Sequence, residues 1–142
     1  MDEIKEERKL LARGYFEQGY NCCTSVMLAY AGELEMDQET ILKLTSSFGG
    51  GMARLKEVCG AVTGMFMVAG LKYGPTEPGF TQEKAEHYKM LQNLSGAFKE
   101  KNGSLLCRDL LDEEKYPLHE CCSAYIEDAV ELLENEIQRR QG

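Results

Sequence analysis

Six cysteines stand in a chain of 142 residues: Cys22 and Cys23, Cys59, Cys107, and Cys121 and Cys122. Thiolates are nucleophiles, disulfide partners and soft metal ligands, so these are the first candidates for chemistry. Their spacing narrows the choices. No Cys-x-x-Cys occurs, which withholds local support from a thioredoxin-type dithiol and from a zinc ribbon. Neighbours on a helix point ~100° apart, so at most one of each adjacent pair faces a given site. Four positions are therefore of interest. A domain of this length can build a core without covalent staples, which leaves the thiols for redox, metal or packing roles.

The elements that must position these residues read as helices. Ile4, Leu11, Ala12 and Tyr15 recur at helical spacing over residues 2–18, with charge between them. Gly19 ends that element, and Asn21 is an N-cap for a second helix running to about Glu35. Asp37 caps a short third helix through Leu44, after which Ser46-Ser47-Phe48-Gly49-Gly50-Gly51 reads as a loop. From about Lys56 the chain is helical again, and Gly60 and Gly64 share a face that lets another backbone come close. Gly74 to Gly79 breaks this pattern with two prolines. Thr81 then caps a helix with apolar Tyr88, Leu91, Leu94 and Phe98, and Gly103 stops it. Ser104 caps a short helix holding Leu106, Cys107, Leu110 and Leu111. After Tyr116-Pro117, the last helix runs from about Leu118 to Arg140, with Cys122, Ile126, Ala129, Leu133 and Ile137 on one side. No stretch alternates over five or more residues. The expectation is an all-α single domain, a bundle of about six helices around a central glycine-containing helix, with a Gly-rich loop.

Helical phase selects Cys122 over Cys121, because Cys122 is in register with Ile126, Ala129 and Leu133. The same test fails at the first pair. Cys22 leads to Val26 and Ala29, while Cys23 leads to Met27, Tyr30 and Leu34, so both faces are apolar. Position along the elements is more informative: Cys22, Cys59, Cys107 and Cys122 all fall near predicted helix starts. A helix N-terminus favours negative charge and lowers a thiol pKa, so four such cysteines are expected to converge as thiolates. Free cysteine is also a common small hydrophobe of cores, which is the simpler explanation for any one of them.

Gly19-Tyr20-Asn21-Cys22, Phe48-Gly49-Gly50-Gly51-Met52, Cys59-Gly60-Ala61-Val62-Thr63-Gly64, Leu106-Cys107-Arg108-Asp109-Leu110 and Cys122-Ser123-Ala124-Tyr125-Ile126 together resemble the C_GCAxxG_C_C family of redox-active proteins. The resemblance spans position 19 to about 130. It implies Cys22, Cys59, Cys107 and Cys122 as the four family cysteines, which resolves the first pair and leaves Cys23 and Cys121 outside the pattern. A similar domain in split-Soret type cytochromes is associated with an iron–sulfur cluster. Covalent haem attachment is not expected, because the chain has no Cys-x-x-Cys-His.

Charge and composition exclude other classes. Lys plus Arg is 16 and Asp plus Glu is 24, a net charge of −8, so no basic field favours nucleic acid or acidic lipid. The uncharged runs at residues 18–32 and 58–71 fall short of the ~18 residues of a membrane span, and no secretory signal opens the chain. A soluble, cytoplasmic protein is expected. Gly49, Gly50 and Gly51, with Gly60, are the candidate cofactor-binding glycines. The backbone amides of that loop, with Arg54 and Lys56 after it, could face an anion, although a close chain crossing is the simpler role. His119, three residues before Cys122, is a reserve metal ligand. Asp112-Glu113-Glu114 and the charges from Glu131 to Arg140 are expected to be solvated faces, and the methionines core filler.

The expected function is thiol/disulfide or metal-cluster electron transfer through Cys22, Cys59, Cys107 and Cys122, with an iron–sulfur cluster or Zn as the possible cofactor and an unidentified redox partner. The alternative is a non-catalytic metal- or small-ligand-binding module whose cysteines are structurally buried.

Overall fold

The computed structural model describes residues 2–111 and 118–142. Its elements are α1 (Asp2–Glu17), α2 (Cys22–Ala29), α3 (Ala31–Leu34), α4 (Gln38–Thr45), α5 (Gly60–Tyr73), α6 (Gln82–Asn102), α7 (Cys107–Leu110) and α8 (Leu118–Gln141). The chain is all-helical among the described residues, with eight helices rather than about six. The element expected from Asn21 to Glu35 is two helices, because Tyr30 leaves helical geometry at φ −110 and ψ 4. Glu35 then closes α3 in the left-handed region at φ 54.

Several expected caps are made. Asn21 Oδ1 accepts the Thr24 amide at 2.9 Å, Asp37 Oδ1 the Thr40 amide at 2.7 Å, and Thr81 Oγ1 the Lys84 amide at 3.1 Å. Each satisfies one of the amides that a helix start leaves orphaned. Gly103, at φ 91, ends α6 with its amide on the Lys99 carbonyl.

Two boundaries move for one reason. α5 begins at Gly60 rather than near Lys56, and α7 begins at Cys107 rather than after Ser104. The chain before each helix is spent on pairing with the other. The Cys59 amide donates to the Leu105 carbonyl at 2.8 Å, and the Cys107 amide to the Glu57 carbonyl at 2.6 Å. Val58 and Leu106 form an isolated antiparallel bridge between these bonds. Ser104 Oγ accepts the Leu106 amide at 3.0 Å instead of capping a helix.

α2 is buried along its whole length and packs on α5. Gly64 makes this approach possible, since a Cβ there would lie 2.9 Å from the Val26 Cβ and 3.0 Å from the Cys23 carbonyl oxygen. α8 closes the core with Ile126, Ala129, Val130, Leu133 and Ile137, and α6 adds Met90, Leu94 and Phe98. Tyr88, expected on that apolar line, is exposed.

α1 departs from the sequence expectation. Ile4 and Leu11 are exposed, and Ala12 is its buried residue. Charge ties α1 to α8 instead: Lys9 to Glu131 at 3.5 Å, Arg13 to Glu127 at 3.5 Å and Arg8 to Glu134 at 3.3 Å. Glu134 is only 3% exposed, which corrects the expectation of a solvated face from Glu131 to Arg140. Its carboxylate is matched by Arg8 and by the Tyr30 hydroxyl, which donates at 2.9 Å. A buried carboxylate persists only when paired in this way. Asp112-Glu113-Glu114 lies outside the described residues. No helix among the described residues is long and apolar enough to cross a membrane.

Candidate cysteine site

Four separate helix starts deliver the four candidate cysteines. Cys22 is the first residue of α2, directly after the Asn21 cap. Cys59 is the N-cap residue of α5, and Cys107 opens α7. Cys122 lies in the second turn of α8. The backbone pairing of residues 57–59 with 105–107 fixes Cys59 and Cys107 together although they are far apart in sequence. Tyr125, one turn beyond Cys122, donates its hydroxyl to the Leu110 carbonyl at 2.7 Å and so ties α8 to the end of α7.

All four cysteines line one cavity of about 540 Å³, with Gly49, Gly50, Gly51 and Gly60 also in its wall. Three of these glycines are needed where segments cross. A Cβ on Gly60 would lie 3.1 Å from the Cys22 Cβ and 3.1 Å from the Cys23 amide nitrogen. On Gly49 it would lie 2.8 Å from the Asn21 Cβ, and on Gly51 2.6 Å from the Cys107 Cβ. Glycine at these positions lets the turn before α5 press against both the start of α2 and the start of α7. Gly50 and Gly51 also take positive φ, 62 and 72, where a side chain is strained.

The protonation pattern corrects the expectation of four thiolates. Burial pushes the Cys59 thiol up to about 11, even though the amides of Ala61 and Val62 at the start of α5 pull it down. Burial also raises Cys107, with Lys56 opposing. Cys22 is raised well above the ordinary value, first because its proton is shared in a hydrogen bond to Cys122 and second because it is buried. Cys122 alone is lowered, because the Cys22 thiol donates to its sulfur. Removing a thiolate from water costs more than one helix terminus returns, and several anions in one cavity repel each other. The site therefore favours one anion among the four.

Cys22 and Cys23 have different surroundings. Cys23 is fully buried against Met67, with its sulfur 3.8 Å from the thioether sulfur, and it does not line the cavity. Burial pushes its thiol up to about 12. The side chains of Cys121 and His119 lie outside the described residues.

Four thiols on one cavity are chemically suited to an iron–sulfur cluster or zinc. Their arrangement fits less well: among the described residues, no three Cys, His, Asp or Glu side chains come close enough together to hold one metal ion.

Arg54, Lys56, Tyr20 and Tyr125 complete much of the wall. The two cations were visible in sequence as followers of the glycine run. The tyrosines carried a weaker signal, each an aromatic residue within three positions of a candidate cysteine.

Neither the comparison with curated proteins nor that with solved structures found a match. A family model described as "Putative redox-active protein (C_GCAxxG_C_C)" matches residues 20–136. That span contains all four cysteines of the cavity and the wall glycines Gly49, Gly50, Gly51 and Gly60, and the chain belongs to the C_GCAxxG_C_C family.

Proposed function

We propose that the protein is a thiol–disulfide redox protein whose working pair is Cys122 and Cys22. The observation that carries this reading is that Cys22 and Cys122 line one cavity, where the interaction of the two thiols raises Cys22 and lowers Cys122. That interaction holds a proton on Cys22 and leaves Cys122 as the preferred thiolate. Cys122 is also only partly buried, whereas Cys22, Cys59 and Cys107 are buried. The nucleophile is thus the thiol that solvent reaches best, and its resolving partner lines the same cavity.

In the proposed step, the Cys122 thiolate attacks one sulfur of an incoming disulfide. A mixed disulfide forms, and the first small thiolate leaves. Cys22 passes its proton to that leaving thiolate, and its sulfur then attacks Cys122 Sγ. The Cys22–Cys122 disulfide forms as the second small thiolate departs. Two electrons have moved from the protein dithiol to the incoming disulfide, which is reduced to two thiol equivalents. Cys59 and Cys107 remain protonated and form a second rank on the same cavity, oxidised only after the first pair.

Oxidation of the reduced protein with a stoichiometric small disulfide, followed by peptide mapping, tests this. The first bond is expected between Cys22 and Cys122. The reading fails if all four thiols stay reduced, or if the first bond forms elsewhere.

The sharing of one cavity by four thiols favours a second reading, in which Cys22, Cys59, Cys107 and Cys122 hold an iron–sulfur cluster or zinc. The visible spectrum and metal content of anaerobically purified protein separate the two. A stoichiometric metal would displace the dithiol reading, and colourless, metal-free protein would support it. Thiols that neither oxidise nor bind metal would leave a non-catalytic module with buried cysteines.

A further inference from the structure

The cavity also carries a charge that thiol exchange alone does not require. Arg54 and Lys56 line it, and among the described residues no Asp or Glu does. This runs against a chain with 16 basic and 24 acidic residues. Many of the other cations are tied to carboxylates, Arg8 to Glu134, Arg13 to Glu17, Lys72 to Glu33 and Arg108 to Glu57 among them. Among the described residues, Arg54 and Lys56 make no ion pair. Lys56 acts on the site nonetheless, since its charge pulls the Cys107 thiol down.

The backbone holds both cations there under strain. Gly50, Gly51, Met52, Ala53 and Arg54 follow one another at φ 62, 72, 66, 52 and 64, and Lys56 is at φ 60. Four of these six residues are not glycine, so the left-handed turn is costly. It is fixed by the Arg54 amide on the Gly49 carbonyl at 3.0 Å and the Lys56 amide on the Gly50 carbonyl at 3.1 Å. The same wall supplies apolar surface from Phe16, Leu110 and Leu111. A volume of about 540 Å³ lies within the range of small-molecule pockets.

We infer that the cavity takes a small disulfide bearing carboxylates, with Arg54 and Lys56 holding its negative groups while its sulfur meets Cys122. This names a substrate class for the thiol–disulfide reading above and rests on it. A guanidinium and an ammonium at one mouth attract carboxylates, raise the local concentration of the anion and repel cationic disulfides. The exchange is the balanced one already given: the protein loses two electrons, and the carboxylate-bearing disulfide is reduced to its two thiol equivalents.

The test measures oxidation rates of the reduced protein with dithiodipropionate (anionic), bis-hydroxyethyl disulfide (neutral) and cystamine (cationic). Each rate is divided by that of the same disulfide with a small neutral thiol. The expected order is anionic, then neutral, then cationic, with about a tenfold or greater spread between the extremes at low salt that shrinks as salt is added. Double replacement by R54Q and K56Q is expected to bring the anionic-to-cationic ratio towards one, and R54E with K56E to invert it. The salt series needs no variant, so a folding defect in these proteins does not remove the test. Equal normalised rates for the three disulfides in the unaltered protein would overturn this inference and leave the dithiol reading standing. Failure of all three to react would remove both.

Discussion

A Cβ atom on Gly51 would stand 2.6 Å from the Cβ of Cys107, and Gly51 sits at φ +72. The contact cannot be relieved by swinging a side chain, because the Glu57 nitrogen and oxygen would also lie at 2.8 and 2.9 Å. The Glu57 oxygen accepts the Cys107 amide in the pairing that joins the start of α5 to the start of α7, and the Glu57 nitrogen donates to the Gly51 carbonyl. Gly51→Ala is therefore expected to destabilise the protein by ~1–3 kcal/mol and to push the two segments apart. Faster alkylation of Cys107, together with an earlier denaturant midpoint, is the expected readout. Gly96→Ala supplies the contrast. Gly96 lies inside α6 with nothing within 4 Å of an added Cβ, so alanine there is expected to stabilise by ~0.5–1 kcal/mol.

Asn21 uses both ends of its amide. Oδ1 caps α2 at the Thr24 amide, and Nδ2 donates to the Thr45 carbonyl at the end of α4, 3.2 Å away. Loss of the cap in Asn21→Ala is expected to cost ~0.5–2 kcal/mol. Asn21→Asp keeps an acceptor for Thr24 but has no donor for Thr45, so its denaturant midpoint is expected between those of the alanine variant and the unaltered protein. An aspartate variant as unstable as the alanine one would mean that the Thr45 bond, not the cap, dominates.

The pattern of local signals explains what could be read from the chain. Asn21, Asp37, Thr81 and Gly103 mark helix ends through bonds that reach only a few residues, and these boundaries were legible. The phase that turned Cys122 toward Ile126 and Leu133 is equally local. By contrast, the starts of α5 and α7 are set by each other, through bonds between Cys59 and Leu105 and between Glu57 and Cys107. No window of sequence around either contains the other. Glu134 is a similar case. It sits among charges that resemble a wet face, and only Arg8 and Tyr30, brought from elsewhere in the chain, make its burial tolerable. Helix position also misled on ionisation. It placed four cysteines near helix starts, but burial and mutual repulsion depend on the packed cavity and leave Cys122 alone lowered.

Buried thiols that resist ionisation give the fold an alkaline limit. Cys23 is held to about 12 and Cys59 to about 11, against an ordinary value of 9.0. Both are raised in the folded state, so the folded protein binds more protons than the unfolded chain above that ordinary value. Their contribution is fully present below about pH 9 and is lost as pH rises toward the folded values. Each thiol adds up to ~1.4 kcal/mol of lost stability per pH unit in that window. Under reducing conditions, Cys23→Ala is expected to lower stability at neutral pH through the small cavity it leaves. It is also expected to make the fall from pH 9 to 11 shallower. An unchanged alkaline slope would show that Cys23 ionises at its ordinary value.

The Cys22–Cys122 contact makes a prediction that does not depend on substrate. The Cys22 thiol holds the Cys122 pKa down, so its loss in Cys22→Ala is expected to raise the Cys122 pKa. Alkylation of Cys122, followed site by site with iodoacetamide across pH, rises as the thiolate forms. The profile should therefore move to higher pH in Cys22→Ala, with a slower rate at neutral pH. A serine retains a donor, so Cys22→Ser is expected to keep the profile nearer that of the unaltered protein. Cys23→Ala should leave it in place, because Cys23 faces Met67 and not the cavity. Both alanine variants delete one thiol from α2, so a shift common to the two would reflect loosened packing, whereas a shift confined to Cys22→Ala isolates the effect of the Cys22 thiol on Cys122.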